Sequence, residues 1–192
     1  MSGAWEHLQT LTVPAGPAVS TFGTFSGLDG DTDRIYSWLL YWVSPTTADL
    51  RIRVSINGSS PSGAGVATTI GYQRDLGSPG LLDASGVLDG VLVARTADND
   101  EIAPYTSYSW GFLHARTGSP NGRRLFRHTG GQRHAQLGDA SQNDHWLWEY
   151  VGQWFNTVTN ITSLGFECIT SAAAASSSIS PGSFIALYRM QT

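Results

Sequence analysis

The sequence predicts an all-β fold, an antiparallel β-sandwich of the jelly-roll type, formed by a single domain over residues 1–192. Three observations lead to this prediction. Apolar and polar residues alternate with a period of two along many short segments, and residues that favour turns separate those segments. Only 14% of the residues are charged, which disfavours a helical bundle because helix surfaces carry many Glu, Lys and Arg residues. Large two-sheet antiparallel folds commonly wind as jelly rolls.

The clearest strand lies within ADLRIRVSING, residues 48–58. Its four aliphatic residues share one face, while two arginines and a serine share the other. The strand ends at Asn57-Gly58, a pair typical of tight turns. Residues 35–43 are apolar on both faces and predict a central strand. Weaker alternation predicts further strands at 5–13, 19–25, 66–74, 87–95, 105–115, 123–128, 146–155, 161–169 and 183–190.

Turn signals separate the predicted strands, and no segment predicts an amphipathic helix with caps. The Ser/Ala-rich stretch at 171–182 lies between two strand candidates and predicts an exposed loop. The turn signals are Pro45, Pro61-Ser62-Gly63, Pro79-Gly80, Pro104, Ser119-Pro120-Asn121-Gly122 and Gly130-Gly131.

Composition narrows the function classes. The net charge of -4 disfavours nucleic acid and anionic membranes as partners. Cys168 is the only cysteine, so no intrachain disulfide can form, and residues 1–20 carry no signal-peptide pattern. All eleven basic residues are arginines, which removes every mechanism that needs a lysine. Because the chain has a single cysteine, we expect assembly in a reducing cytoplasm.

Three aspartates at alternate positions, Asp29, Asp31 and Asp33, resemble the start of a calcium loop. The helix–loop–helix calcium motif needs Gly at its sixth position and Glu at its twelfth, where this chain has Arg34 and Leu40. A turn that leads into a buried strand is the favoured interpretation, because Asp and Gly suit turns. A looser oxygen-ligand site stays open, and no metal or other cofactor is predicted.

No motif predicts catalysis. The five histidines form neither HExxH nor a close pair suited to zinc, and the sequence contains no GxSxG. A triad or a carboxylate pair assembled only in space stays possible, since spatial pairing leaves no sequence signal. We expect no enzymatic activity and name no catalytic residue.

Two stretches supply candidate interface residues. Residues 143–155 are rich in aromatic side chains, which could fill the core, anchor a protein interface or stack on sugars. Residues 123–134 form the only dense basic patch, which could be a solvated loop, dock a protein or bind phosphate. The predicted interface residues are Arg123, Arg124, Arg127, Arg133, Trp146, Trp148 and Trp154.

Four segments, taken in order, resemble a known group of proteins. They are FSGLDGDTDRIYSWLLYW at 25–42, ADLRIRVSING at 48–58, WFNTVTNITSLGFECI at 154–169 and ISPGSFIALYRM at 179–190. Together they resemble a diffuse set of tailed-phage virion proteins. Those proteins share a Leu-Asp-Gly-Asp segment before a buried strand, a strand ending in Asn-Gly, and a closing C-terminal hairpin.

The resemblance implies a non-enzymatic structural protein of a bacteriophage virion, assembled in the host cytoplasm. Our leading expectation is a capsid decoration or cement protein that docks on the outside of the shell and stabilises it. Its partners would be the major capsid protein or other virion proteins, and it would form a homo-oligomer such as a trimer. The alternative is a tail, baseplate or spike component that binds host-surface carbohydrate, and a polysaccharide-cleaving enzyme is the third candidate.

Overall fold

The computed structural model describes residues 4–45, 50–58, 66–74, 79–84, 91–95, 105–117, 124–133, 145–154, 159–170 and 174–190. In these ranges no helix is both long and apolar enough to cross a membrane. The elements are β1 (Trp5–Thr12), β2 (Thr21–Ser26), α1 (Gly30–Asp33), β3 (Ile35–Ser44), β4 (Leu50–Ile56), β5 (Val66–Arg74), β6 (Pro79–Ala84), β7 (Val91–Arg95), β8 (Tyr105–His114), β9 (Arg124–Arg133), β10 (His145–Trp154), β11 (Ser163–Thr170) and β12 (Phe184–Met190).

The strands form two antiparallel sheets packed against each other, so the predicted all-β sandwich is confirmed. The larger sheet has eight strands in the order β1-β12-β3-β8-β9-β10-β5-β6, and the smaller has four in the order β2-β11-β4-β7. Four strand pairs are nested within one another along the chain: β1 with β12, β2 with β11, β3 with β8, and β4 with β7. This nesting is consistent with the predicted jelly-roll winding.

The core lies between the sheets and is centred on β3, as expected for a central strand. Trp38, Leu40 and Trp42 are at most 1% exposed. The ring of Trp38 lies 6.1 Å from that of Phe166, which belongs to the opposite sheet. Large aromatic rings from both sheets therefore fill the interior, and two indoles come from this one strand.

Two predicted turns are wrong, because the structure has strands there. Pro79 begins β6, the edge strand of the larger sheet, where a residue without an N–H is tolerated. Gly130 and Gly131 lie inside β9, paired with β8 on one side and with β10 on the other. Two neighbouring strands outweigh the turn preference of glycine at these positions.

The predicted exposed loop at 171–182 is correct only in part. Residues 171–173 lie outside the described ranges, while Ala174 and Ala175 are exposed. Ser178 and Ile179 are buried, however, and Ile179 pairs with Val19 in an isolated bridge. The indole N–H of Trp42 donates to the carbonyl of Ser178 at 2.9 Å. Buried indole N–H groups usually have an acceptor, and this hydrogen bond ties part of the segment to the sandwich.

Candidate functional site

The aspartate segment forms the short helix α1, and Asp29 caps it. The Asp29 carboxylate accepts hydrogen bonds from the amides of Asp31 and Thr32, at 3.2 and 3.3 Å, and from the Thr32 hydroxyl at 2.7 Å. The Asn160 side-chain amide donates to it at 2.9 Å. The hydrogen bonds from Thr32 and Asn160 lower the pKa of Asp29. This carboxylate stabilises a helix end.

The other two aspartates have different partners. Asp31 accepts from the amide of Thr117 at 2.7 Å and from its hydroxyl, and these bonds lower the pKa of Asp31. Asp33 is buried and accepts from the hydroxyl of Tyr36 at 2.7 Å and from Arg189 at 3.1 Å. Within the described ranges, no three His, Cys, Asp or Glu side chains group in a way that could hold a metal ion. The segment is a helical turn that leads into the buried strand β3.

Asn57 links the same region to the C-terminal half of the chain. Its side-chain oxygen accepts from the amides of Thr162 and Ser163 at 2.8 and 3.1 Å, and its side-chain nitrogen donates to the Asn160 carbonyl at 2.7 Å. The backbone of Asn57 has a φ of 52°, which suits Asn in a tight turn. Segments 25–42, 48–58 and 154–169 are thus joined by side-chain hydrogen bonds. Sequence analysis identified the turn at Asn57 but not this link, because the partners lie about a hundred residues apart in sequence.

Two of the predicted interface arginines are described in full, and they differ. Arg124 is 1% exposed, and its Nη2 donates to the carbonyl of Thr159 at 2.5 Å. Burial lowers the pKa of Arg124. Its guanidinium therefore makes contacts within the fold and is not available to a partner. Arg127 is exposed and pairs with Glu149, so it alone of the two lies on the surface.

The structure leaves the other predicted interface residues untested. Arg123 lies outside the described residues. Strands β9 and β10 include the remaining four, but their side chains lie outside the described part of the chain. These four are Arg133, Trp146, Trp148 and Trp154.

A surface that sequence analysis missed lies on the outer face of the larger sheet, the face directed away from the smaller sheet. Trp5, Leu39, Tyr108 and Trp110 are 44%, 40%, 51% and 49% exposed. They belong to β1, β3 and β8, and together with Phe112 and Tyr188 we call them the aromatic face. Such clustering of large apolar side chains on one face marks a binding surface more often than isolated exposed residues do.

The aromatic face contains a depression of about 250 Å³. Its walls are Trp5, Leu39, Trp110 and Tyr188, and it also includes Ser37. Phe112 supports two of the indoles: its ring lies 4.5 Å from that of Trp110 in an edge-on contact and 6.1 Å from that of Trp5 in a stacked one. These contacts hold the exposed rings in place.

A second depression, of about 240 Å³, lies on the other side of Trp110. It includes Trp110 and Phe112 together with Arg127 and Thr129, and we call it the polar pocket. Arg127 reaches Glu149 on the neighbouring strand at 2.6 Å. Aromatic rings and hydrogen-bonding groups therefore lie side by side here, the combination that is typical of small-ligand sites.

The aromatic face exists because β8 directs its small residues inwards. Ser107, Ser109 and Gly111 are buried, while the residues between them face outwards. Their Cα partners on β3 are Trp42, Leu40 and Trp38, respectively. The indoles fill the space that larger inward residues on β8 would need. The signal was present in the sequence as small residues alternating with Tyr108, Trp110 and Phe112, but alternation does not reveal which set faces the core.

Two residues with reactive side chains are buried and neutral. Burial lowers the pKa of His128 to about 3 and raises that of the Cys168 thiol to about 12. At neutral pH the histidine therefore carries no charge and the cysteine is not a thiolate, and neither is accessible.

Comparisons with protein-family models, curated proteins and solved structures found no match to this chain.

Proposed function

We propose that the protein is a non-enzymatic structural protein of a tailed-phage virion, a decoration or cement protein that docks on the outside of the capsid shell. The resemblance of its terminal segments to such proteins supports this. The polar residues of these segments also support it, because Asp29, Asn57 and Asn160 form hydrogen bonds that link the segments and stabilise the sandwich. A rigid scaffold with an exposed apolar face suits a part that repeats over a large particle.

The observation that carries the proposal is the aromatic face. Fully burying one large apolar side chain contributes about 1.5–3 kcal/mol, part of which offsets the entropy lost on association. Trp5, Leu39, Tyr108 and Trp110 retain 40–51% of their exposure in the isolated chain. A shell protein that covers this face would bury all four side chains, and the binding free energy would include a contribution from each. Because the protein would bind only the assembled shell, its binding would stabilise the shell.

The partner is the major capsid protein, or another virion protein at the same surface. A homo-oligomer such as a trimer would match the local symmetry of a shell and would present several copies of the aromatic face at once.

Co-sedimentation with shells that lack the protein tests this proposal. We expect wild-type protein to bind and Leu39→Asp to bind at least tenfold more weakly, because the substitution places a charge in the apolar depression. The matched control is Thr24→Asp, which adds the same charge on an exposed position of the smaller sheet and should bind as wild type does. Absence of wild-type binding to shells, or equal binding by Leu39→Asp, would contradict the proposal.

A tail, baseplate or spike component that binds host-surface carbohydrate is the second candidate. The polar pocket favours it, because an exposed indole beside hydrogen-bonding groups is suited to sugars. Electron microscopy of the particle separates the two candidates, since density for this chain would lie on the head in the first case and on the tail in the second.

A further inference from the structure

The Arg127–Glu149 pair has an unusual division of its hydrogen bonds. Arg127 uses both Nε and Nη2 to contact a single oxygen, Oε1 of Glu149, at 2.7 and 2.6 Å. Among the described residues, the second carboxylate oxygen and Nη1 of the guanidinium have no partner. The two side chains are 60% and 36% exposed. Within the described part of the chain, the pair therefore presents one strong acceptor and one strong donor, held next to each other by their own contact.

The register of three neighbouring strands places this pair beside an aromatic ring. Thr129 on β9 has Trp110 of β8 as its Cα partner on one side and Glu149 of β10 on the other. Adjacent strands are about 4.8 Å apart, so Trp110 and Glu149 lie roughly two strand spacings apart across Thr129. Trp110, Phe112, Arg127 and Thr129 line the polar pocket together.

We propose that the polar pocket binds a neutral saccharide that carries two adjacent hydroxyl groups. One hydroxyl donates to the second carboxylate oxygen of Glu149, and its neighbour accepts from Nη1 of Arg127. The apolar face of the sugar ring packs on Trp110, and the Thr129 hydroxyl lines the same pocket. This inference does not depend on where the protein lies in a particle.

The chemistry of the pocket selects this ligand class over others. A phosphate or carboxylate ligand would meet the negative charge of Glu149, which already holds the guanidinium. A wholly apolar ligand would cover the exposed donor and acceptor without replacing their water contacts, which is unfavourable for each group. A vicinal diol provides one donor and one acceptor at adjacent carbons, and a pyranose ring supplies the apolar face that stacks on an indole.

The test is a titration of the purified full-length protein with methyl glycosides of glucose, galactose and mannose, followed by glycan-array screening of their oligomers. NMR follows the indole N–H of Trp110 in the wild-type protein, so that the binding position is measured without any substitution. We expect at least one probe to shift this signal, and we expect the analogue that lacks one of the two hydroxyls to bind at least tenfold more weakly.

Three variants locate the contacts. Glu149→Gln removes the charged acceptor and Trp110→Ala removes the stacking ring, and each should weaken binding at least tenfold. Glu6→Gln is the matched control, because Glu6 also pairs with an arginine and its side chain is exposed to the same 36%, but it lies on β1, four strands away from β9 in the sheet. It should bind as the wild type does.

Two results would overturn the inference. One is that no glycoside shifts the Trp110 signal and no array glycan binds the protein. The other is that binding occurs but is unchanged in Glu149→Gln and Trp110→Ala. The outcome is separable from that of the docking proposal, because Leu39→Asp should lose shell binding and keep saccharide binding, while Glu149→Gln should do the reverse.

Discussion

Strands β4 and β8 both alternate large apolar residues with small or polar ones, yet they direct opposite sets towards the core. On β4 the aliphatic residues face inwards, and Ile52 is 0% exposed while Arg53, on the opposite face, pairs with Glu167. On β8 the small residues face inwards, and Ser109 is 0% exposed while Trp110 is 49% exposed. Alternation predicted both strands correctly, but the rule that apolar residues face the core fails at Tyr108 and Trp110 of β8.

The difference arises from the neighbouring strands. β4 pairs with β11 and β7, so its aliphatic residues fill the smaller sheet's side of the core. β8 pairs with β3, which already directs Trp38 and Trp42 inwards. Cores are packed to high density, and a second row of large residues beside these indoles would not fit. A strand next to a row of tryptophans can therefore be inverted, and the large residues that it turns outwards become a surface.

The largest expected effect is that truncating an isoleucine costs more stability than truncating a tryptophan, although tryptophan is the larger side chain. Ile52→Ala should lower the free energy of unfolding by about 2–5 kcal/mol, because it leaves a cavity in the core. Trp110→Ala should cost less, about 0.5–1.5 kcal/mol, mainly from the lost contact with Phe112. Urea unfolding followed by circular dichroism gives both values. A larger loss for Trp110→Ala than for Ile52→Ala would refute the inverted orientation of β8.

Gly111→Ala tests whether the indoles require a small partner. A Cβ at Gly111 would lie 2.4 Å from Trp38 Cζ2, 2.5 Å from His128 Cβ and 2.8 Å from the Arg127 carbonyl. Overpacking of this kind costs about 1–3 kcal/mol, and we expect a loss of that size in urea unfolding.

The second-site variant Trp38→Phe supplies the control, since phenylalanine lacks the atom that clashes. In the double variant, the cost of Gly111→Ala should be smaller than in the wild-type background. Equal costs in both backgrounds would show that Trp38 does not limit the space at Gly111.

His128, next to Trp38 and Gly111, predicts a pH dependence of stability. Its pKa is about 3 in the folded protein against an ordinary 6.5, because burial disfavours the charged form. The unfolded chain therefore binds more protons between these pH values, and stability is full above pH 6.5 and falls as the pH drops towards 3. The slope should reach at most about 1.4 kcal/mol per pH unit. Urea unfolding between pH 7 and 4.5 measures it.

His128→Gln serves as the control for this dependence, since glutamine does not titrate. Asp29 and Asp31 have lowered pKa values, so their contributions are lost only below their ordinary value of 3.8. If the decline between pH 6.5 and 4.5 persists in His128→Gln, another group is responsible for it.

Ser109→Ala should have the smallest effect. The Ser109 hydroxyl is buried and has no hydrogen-bond partner within the described part of the chain. Its removal should leave stability unchanged or raise it by up to about 1 kcal/mol. Ser183→Ala is the matched comparison, because this buried hydroxyl accepts from the amide of Val43 at 2.9 Å, and its loss should cost about 1–2 kcal/mol. Equal losses from both variants would contradict the account of the inward face of β8.

Local patterns in the sequence predicted much of the fold. The alternation of Leu50 to Ile56 and the apolar run of β3 gave a half-buried and a central strand, and the structure has both. The edge strand that begins at Pro79 was missed because its tolerance for proline depends on having a free side. Whether a strand lies at the edge of a sheet depends on the pairing of all the strands, so the sequence of the strand itself does not show it.

The candidate site was less predictable. Of the predicted interface residues, Arg127 lies at the polar pocket, and Arg124 is buried instead. The aromatic face was missed because it depends on which side of β8 meets Trp38 and Trp42, which strand pairing decides. The pairing of Arg127 with Glu149 likewise joins residues 22 positions apart across two strands.

Hydroxyl-radical footprinting with mass spectrometry tests the central claim most directly, because it reports the solvent accessibility of individual side chains in the native protein. The account predicts that Tyr108 and Trp110 are oxidised readily in the free protein while Trp38 and Trp42 are protected. Protection of Trp110 to the same degree as Trp38 would show that β8 directs its aromatic residues into the core, and both proposed binding surfaces would then have to be abandoned.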